Sequence, residues 1–241
     1  LYRKIFPLPP PPIRVAAAER YLKGNGIEIG ALNFPLPLPK SASVKYVDRK
    51  TVAELRARFP ELDSKPLIEA DVIDDGETLE TILDNTQDFV IACHVIEHCQ
   101  NPIGAIKNWL RVLKAGGTAF IAVPDKRYTF DVDRPLTPIE HVIQDYNNGP
   151  EWSREAHYVE WEQMWIEKCD GRNEAEVREM VANIRKGEDD VHFHVWTQFE
   201  FIELLLYCRS TLCFPFEIDL IQMNGIESVV ILTKTSSSLT E

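Results

Sequence analysis

Two apolar stretches near the end of the chain, Phe216 to Gln222 and Ser228 to Leu232, flank Met223-Asn224-Gly225-Ile226. Asn-Gly is the preferred centre of a two-residue hairpin turn, since both central positions want positive φ. The last two strands are therefore predicted to be antiparallel neighbours. The earlier chain follows a different rhythm. Short apolar strands are predicted at Gly26 to Gly30, Val44 to Asp48, Leu67 to Ala70, Phe89 to Cys93 and Thr118 to Val123. Helices are predicted at Ile13 to Leu22, Thr51 to Phe59, Pro102 to Leu113 and Gln198 to Cys208, with a helical turn at Thr78 to Leu83. Strands alternating with helices imply a parallel sheet covered on both faces. The fully apolar run FVIAC suits burial on both sides. The predicted class is α/β: a doubly wound, mostly parallel sheet that ends in an antiparallel hairpin.

After Pro124 the strand periodicity stops. Residues 125–195 read as an insertion after the fifth strand, helical at Ala156 to Lys168 and Glu174 to Arg185. Residues 1–25 read as a proline-rich arm, extended over Pro7 to Pro12, followed by the first short helix. The chain opens at Leu1, which leaves room for an upstream segment, and its Ser-rich end from Ser236 is expected to fray. The net charge of −12 over 241 residues disfavours nucleic acid as the main partner. Five scattered cysteines without CxxC spacing point to reduced thiols and a cytoplasmic protein. No apolar run approaches the roughly 20 residues that a membrane helix needs.

In a doubly wound sheet, ligands bind outside the carboxyl ends of the strands. The first of these ends carries Glu28-Ile29-Gly30-Ala31, the second Asp48, the third Asp71, and the fourth Cys93-His94-Val95-Ile96-Glu97-His98. A dinucleotide pyrophosphate needs a glycine loop for close approach, yet here Gly30 is followed by Ala31-Leu32-Asn33-Phe34. Acidic side chains suit instead a ligand without phosphate that offers ribose hydroxyls, an exocyclic amine and cationic groups, and S-adenosylmethionine offers all of these.

IEIGA, VKYVD, EADV, DFVIACHVIEHCQNP and LKAGGTAFIAVPDK together resemble the successive motifs of class I S-adenosylmethionine-dependent methyltransferases, particularly small-molecule enzymes with an HVIEH fourth motif. The resemblance spans about Gly26 to Lys126 and implies a methyltransferase domain over 26–241 with a seven-stranded sheet. It also implies the cofactor side: Glu28 and Gly30 at the methionine moiety, Asp48 at the ribose hydroxyls, Asp71 and the Val72 amide at the adenine, and His94 and Val95 beneath the cofactor, with Ala31 and Arg49 also counted among the cofactor-binding residues. The usual Gly-x-Gly-x-Gly is reduced to Gly30, with Leu32 and Phe34 in the later positions. Competing readings make Asp48 a helix cap, Asp71 a turn residue and His98 a structural histidine.

The insertion supplies candidates for work on the acceptor. In an extended His192-Phe193-His194, both imidazoles would share one face. His157, His192 and His194 are the candidate general bases, and Tyr128, Trp152, Tyr158 and Trp161 are candidate aromatic walls, unless the whole group merely packs on the sheet. No metal is assigned; His192 and His194 with an acid such as Asp125 would form a ligand set that spacing alone does not establish. The expected activity is O-methylation of a small acceptor, a sugar or secondary metabolite. The alternatives are a non-catalytic cofactor-binding scaffold and an NAD-type oxidoreductase. The oligomeric state is left open.

Overall fold

A computed structural model describes residues 12–58, 62–168, 174–186 and 191–236. Strands β1 (Gly24–Ile29), β2 (Ala42–Asp48), β3 (Val72–Ile73), β4 (Gln87–Cys93) and β5 (Leu113–Pro124) run parallel. Strand β7 (Glu227–Lys234) lies antiparallel beside β5, and β6 (Phe216–Asn224) forms the outer edge. The order β3-β2-β1-β4-β5-β7-β6 is the α/β architecture expected, with the antiparallel hairpin closing one side.

The apolar strand at Phe89 sorts its side chains by alternation. Phe89 and Ile91 join Ala17, Ala18 and Leu22 of helix α1 (Pro12–Tyr21) and its following turn in one core. Val90 and Ala92 join Ile103, Ile106, Trp109 and Leu110 of helix α3 (Pro102–Val112) in the other. Asn101 fixes the start of α3, its Oδ1 accepting from the Gly104 amide at 2.8 Å. Pro102 stands in the first turn, where its missing amide hydrogen costs nothing. Between β1 and β2 the chain forms no helix. Pro35, Pro37 and Pro39 remove amide donors there, and Leu36 is buried against the α1 side of the sheet. Helix α2 (Val52–Arg58) follows β2 and buries Leu55; Phe59, the last residue of the predicted helix, lies outside the described residues.

Several expectations are corrected. The third strand is Val72–Ile73 and not Leu67 to Ala70. Pairing of Asp48 with Ile73 therefore places Asp71 before the strand, not at its carboxyl end. Residues Thr78 to Leu83 form turns, not a helical turn, because Asp74 gathers the amides of Glu80 (3.2 Å) and Thr81 (2.8 Å). The hairpin forms, but its two loop residues are Gly225 and Ile226, with Asn224 paired to Glu227. Gly225 has φ 68°, the glycine-first arrangement of a two-residue turn. The proline run Pro7 to Pro11 and the tail from 237 lie outside the described residues.

The insertion contains helices α4 (Ile139–Asn148), α5 (Glu151–Glu167) and α6 (Glu174–Lys186), and α7 (Gln198–Ser210) leads back to the hairpin. Tyr158, Trp161, Val177, Val181 and Phe193 form a small core of its own. Helix α4 was not predicted, although Ile139, Val142, Ile143 and Tyr146 carry helical spacing before the Gly149-Pro150 stop.

Candidate active site

The carboxyl ends of β1 and β4 meet at two left-handed residues. Gly30 has φ 62°, and a Cβ there would meet only Val95, at 3.7 Å. The backbone at Gly30 is therefore open to close approach. His94 has φ 55°, a conformation costly for a residue with a side chain. Its Nε2 is 2.7 Å from Glu227 Oε2, and Arg14 Nε donates to Glu227 Oε1 at 2.6 Å. Burial raises the Glu227 carboxyl, but hydrogen bonds from His94 and Arg14 outweigh it and hold the pKa down to about 2.

Glu28 is buried, with Oε1 accepting from the Leu36 amide at 2.9 Å and Oε2 without a hydrogen-bond partner. Burial pushes its pKa up to about 7 against the pull of the Leu36 amide and Arg14. An orphaned carboxylate oxygen beside an open glycine fits a cationic ligand group. Asp48 ends β2 and accepts from the Lys50 amide at 3.1 Å. Arg49 Nη1 reaches Asp75 at 3.8 Å, and Ala31 is buried behind Gly30. Asp71 accepts from the Tyr46 amide at 2.8 Å, so one oxygen is committed to the edge of β2, and Val72 opens β3.

Beyond His94, Glu97 is buried with neither carboxylate oxygen hydrogen-bonded. Three imidazoles face Oε1: His94 Nδ1 at 3.5 Å, His192 Nε2 at 3.8 Å and His98 Nε2 at 4.0 Å. Burial raises the Glu97 pKa despite His94 and His192 nearby. His192 Nδ1 lies 2.6 Å from Asp131 Oδ2, while Arg134 Nη1 donates to Asp131 Oδ1 at 2.9 Å. Burial opposes the Asp131 charge, yet His192 and Arg134 together lower its pKa. His98 Nδ1 is 3.0 Å from the Val191 carbonyl.

The other two candidate bases lie elsewhere in the insertion. His194 Nε2 is 3.0 Å from Asp145 Oδ2, and His157 Nε2 is 3.0 Å from His141 Nε2. Burial, with His194 and His141 beside it, pushes the His157 pKa down to about 3. Both histidines of HFH are thus inward, each with its own acid, Asp131 and Asp145. Asp125 is the wrong acid for either, because Arg127 Nε and Nη2 hold its carboxylate at 2.9 and 2.7 Å. Of the aromatic candidates, Tyr158 and Trp161 are buried in the insertion's core, whereas Tyr128 and Trp152 are about half exposed.

Residues 33–121 match the family described as a methyltransferase domain. No curated protein matches the chain by sequence. Solved structures do match. A Rhodobacter sphaeroides protein described as a Zn-dependent alcohol dehydrogenase is 14% identical with a TM-score of 0.59, over 95% of this chain and 92% of that one; the likeness is one of fold. An S-adenosylmethionine-dependent methyltransferase of Methanosarcina mazei is 18% identical over 95% of this chain and all of that one, TM-score 0.49. One from Aquifex aeolicus is 13% identical over 88% and 82%, TM-score 0.45. Residues 33–121 thus carry a methyltransferase-domain match on a sheet whose strand order is that of the class I methyltransferase fold, and S-adenosylmethionine is the cofactor that this match implies. Among the described residues no helix is long and apolar enough to cross a membrane.

Proposed function

We propose that this chain methylates a hydroxyl of a small polar acceptor, a sugar or secondary metabolite, with His192 as general base. The carrying observation is the 2.6 Å contact of Asp131 Oδ2 with His192 Nδ1. An ionised Asp131 accepts the Nδ1 proton and so makes Nε2 the basic nitrogen. Arg134 fixes Asp131 from its other oxygen. Nε2 faces the Glu97 carboxyl at 3.8 Å, so an imidazolium formed there sits between two acids.

S-adenosylmethionine, when bound, supplies a methyl group already activated by its sulfonium. Glu28, Gly30, Asp48, His94 and Val95 are the residues that would hold it, with Arg49, Asp71 and Val72 on the ribose and adenine side. The chain's own task is to align the acceptor oxygen, exclude water and take the hydroxyl proton on His192 Nε2 as the oxygen–methyl bond forms. The buried acidic and imidazole groups favour a polar acceptor over a lipid. His157 and His194 take no part in the proton transfer, since their ring nitrogens belong to a separate cluster with His141 and Asp145.

His192→Gln tests this. S-adenosylhomocysteine binding should persist while methyl transfer to a hydroxylated acceptor falls roughly 10²–10⁴-fold. The loss should shrink at high pH, where the acceptor hydroxyl ionises more readily. Full turnover at every pH would remove the base and leave positioning alone.

A further inference from the structure

Helices α4 and α5 and the segment 191–196 converge on four side chains that lie outside the proposed proton transfer. His141 and Asp145 stand one turn apart on α4, His157 comes from α5, and His194 from the extended segment. His141 Nε2 is 3.0 Å from His157 Nε2 and 3.3 Å from Asp145 Oδ2, and Asp145 Oδ2 is 3.0 Å from His194 Nε2. One ligating atom from each residue lies within 4.8 Å of all the others. Donors about 2.0–2.1 Å from a tetrahedral ion are separated by about 3.3 Å, so these spacings outline the edges of such a site.

The surroundings orient the donors as ligands are oriented. His194 Nδ1 is 3.0 Å from the Cys99 carbonyl, which requires a proton on Nδ1 and turns the Nε2 lone pair inward. Ser153 Oγ donates to Asp145 Oδ1 at 3.0 Å, leaving Oδ2 for the cluster. Protons alone satisfy this arrangement badly. His194 would need both nitrogens protonated to serve Cys99 and Asp145, a full charge on a side chain only 1% exposed. His141 would have to divide one Nε2 proton between His157 and Asp145. A cation at the centre meets all four acceptor lone pairs at once.

We propose that His141 Nε2, Asp145 Oδ2, His157 Nε2 and His194 Nε2 bind a structural zinc ion. Three imidazoles and one carboxylate suit zinc rather than magnesium or calcium, which take oxygen ligands. Four protein donors leave no open position, as in a structural and not a catalytic site. The ion ties α4 and α5 to the segment that carries His192, two residues before His194, and through the Cys99 carbonyl to the turn between β4 and α3. Glu97, His98 and His192 also bring ligating atoms within 4.8 Å, but with three donors, one of them the proposed base.

The test is metal content in the full chain, purified without a histidine tag and equilibrated with zinc before gel filtration. Elemental analysis should find one zinc per chain. The cobalt-substituted protein should show the intense visible bands of a tetrahedral Co²⁺ site. His141 is the most accessible ligand, its side chain 21% exposed. His141→Ala should weaken zinc binding at least about tenfold. His98→Ala should leave the zinc and the cobalt spectrum in place. Absence of zinc above background, or zinc lost in His98→Ala and retained in His141→Ala, would overturn the proposal. Neither outcome depends on methyl transfer, so the site stands or falls separately from the proposed activity.

Discussion

Glu227 Oε2 lies 2.7 Å from His94 Nε2, joining the first residue of β7 to a histidine held at φ 55° where β4 ends. The two are 133 residues apart in sequence. A non-glycine residue in this region costs on the order of 1–3 kcal/mol and persists only where its surroundings impose it. The His94 amide donates to the Ala122 carbonyl at 2.8 Å, and Glu227, itself gripped by Arg14, holds the imidazole. The carboxyl end of β4 is thus braced from the hairpin.

Acid titration reports this brace. The Glu227 carboxyl falls from an ordinary 4.5 to about 2 in the folded protein. A depressed folded pKa gives stability that is complete above the unfolded value and lost as pH falls from about 4.5 towards 2. Melting temperatures measured between pH 5 and pH 3 should drop more steeply for the wild type than for Glu227→Gln. Parallel slopes would show that the carboxylate contributes no pH-dependent stability.

Glu28 behaves in the opposite sense. Burial lifts its folded pKa from 4.5 to about 7, so the folded state holds a proton that the unfolded chain has released. The stability it contributes is present below about 4.5 and is lost as pH rises through about 7. Glu28→Gln should therefore gain on the wild type in melting temperature between pH 5 and pH 8. A constant difference across that range would place the ionisation elsewhere.

Asp131→Asn tests how His192 is held. The amide cannot stabilise an imidazolium and permits the wrong tautomer, so kcat should fall about 10²–10⁴-fold. Affinity for S-adenosylhomocysteine should be unchanged, and the pH at which half-maximal kcat is reached should move. A variant with lower affinity and an unmoved pH profile would mark Asp131 as a purely structural partner of Arg134.

Much of the sheet was legible in the sequence because its signals are local. FVIAC acts within a few residues, and so does the glycine turn of the terminal hairpin, although its loop is Gly225-Ile226 and not Asn224-Gly225. Of the residues proposed for the cofactor, Glu28, Gly30, Asp48 and His94 lie at the carboxyl ends of β1, β2 and β4, where strand periodicity alone puts them. The third strand misled, because β3 is only two residues long and its place is set by pairing with Val47 and Asp48, not by its own pattern. In the insertion the histidines were visible but their partners were not. Asp131 and Asp145 reach His192 and His194 across 61 and 49 residues, a distance no periodicity encodes. The His141-x-x-x-Asp145 pair was readable in principle. The apolar spacing of Ile139, Val142, Ile143 and Tyr146 marks the helix that puts the two on one face.

Cofactor choice is the central claim, and calorimetric titration of the whole chain tests it most directly, with S-adenosylhomocysteine and NAD as separate ligands. S-adenosylhomocysteine should bind saturably at one site per chain. Asp48→Ala should weaken that binding at least about tenfold, since each charge-assisted hydrogen bond lost to the ribose is worth roughly 1.5–3 kcal/mol before water compensates. Thermal unfolding of the variant should stay cooperative, and NAD should give no binding heat. Saturable NAD binding with no response to S-adenosylhomocysteine would contradict the assignment.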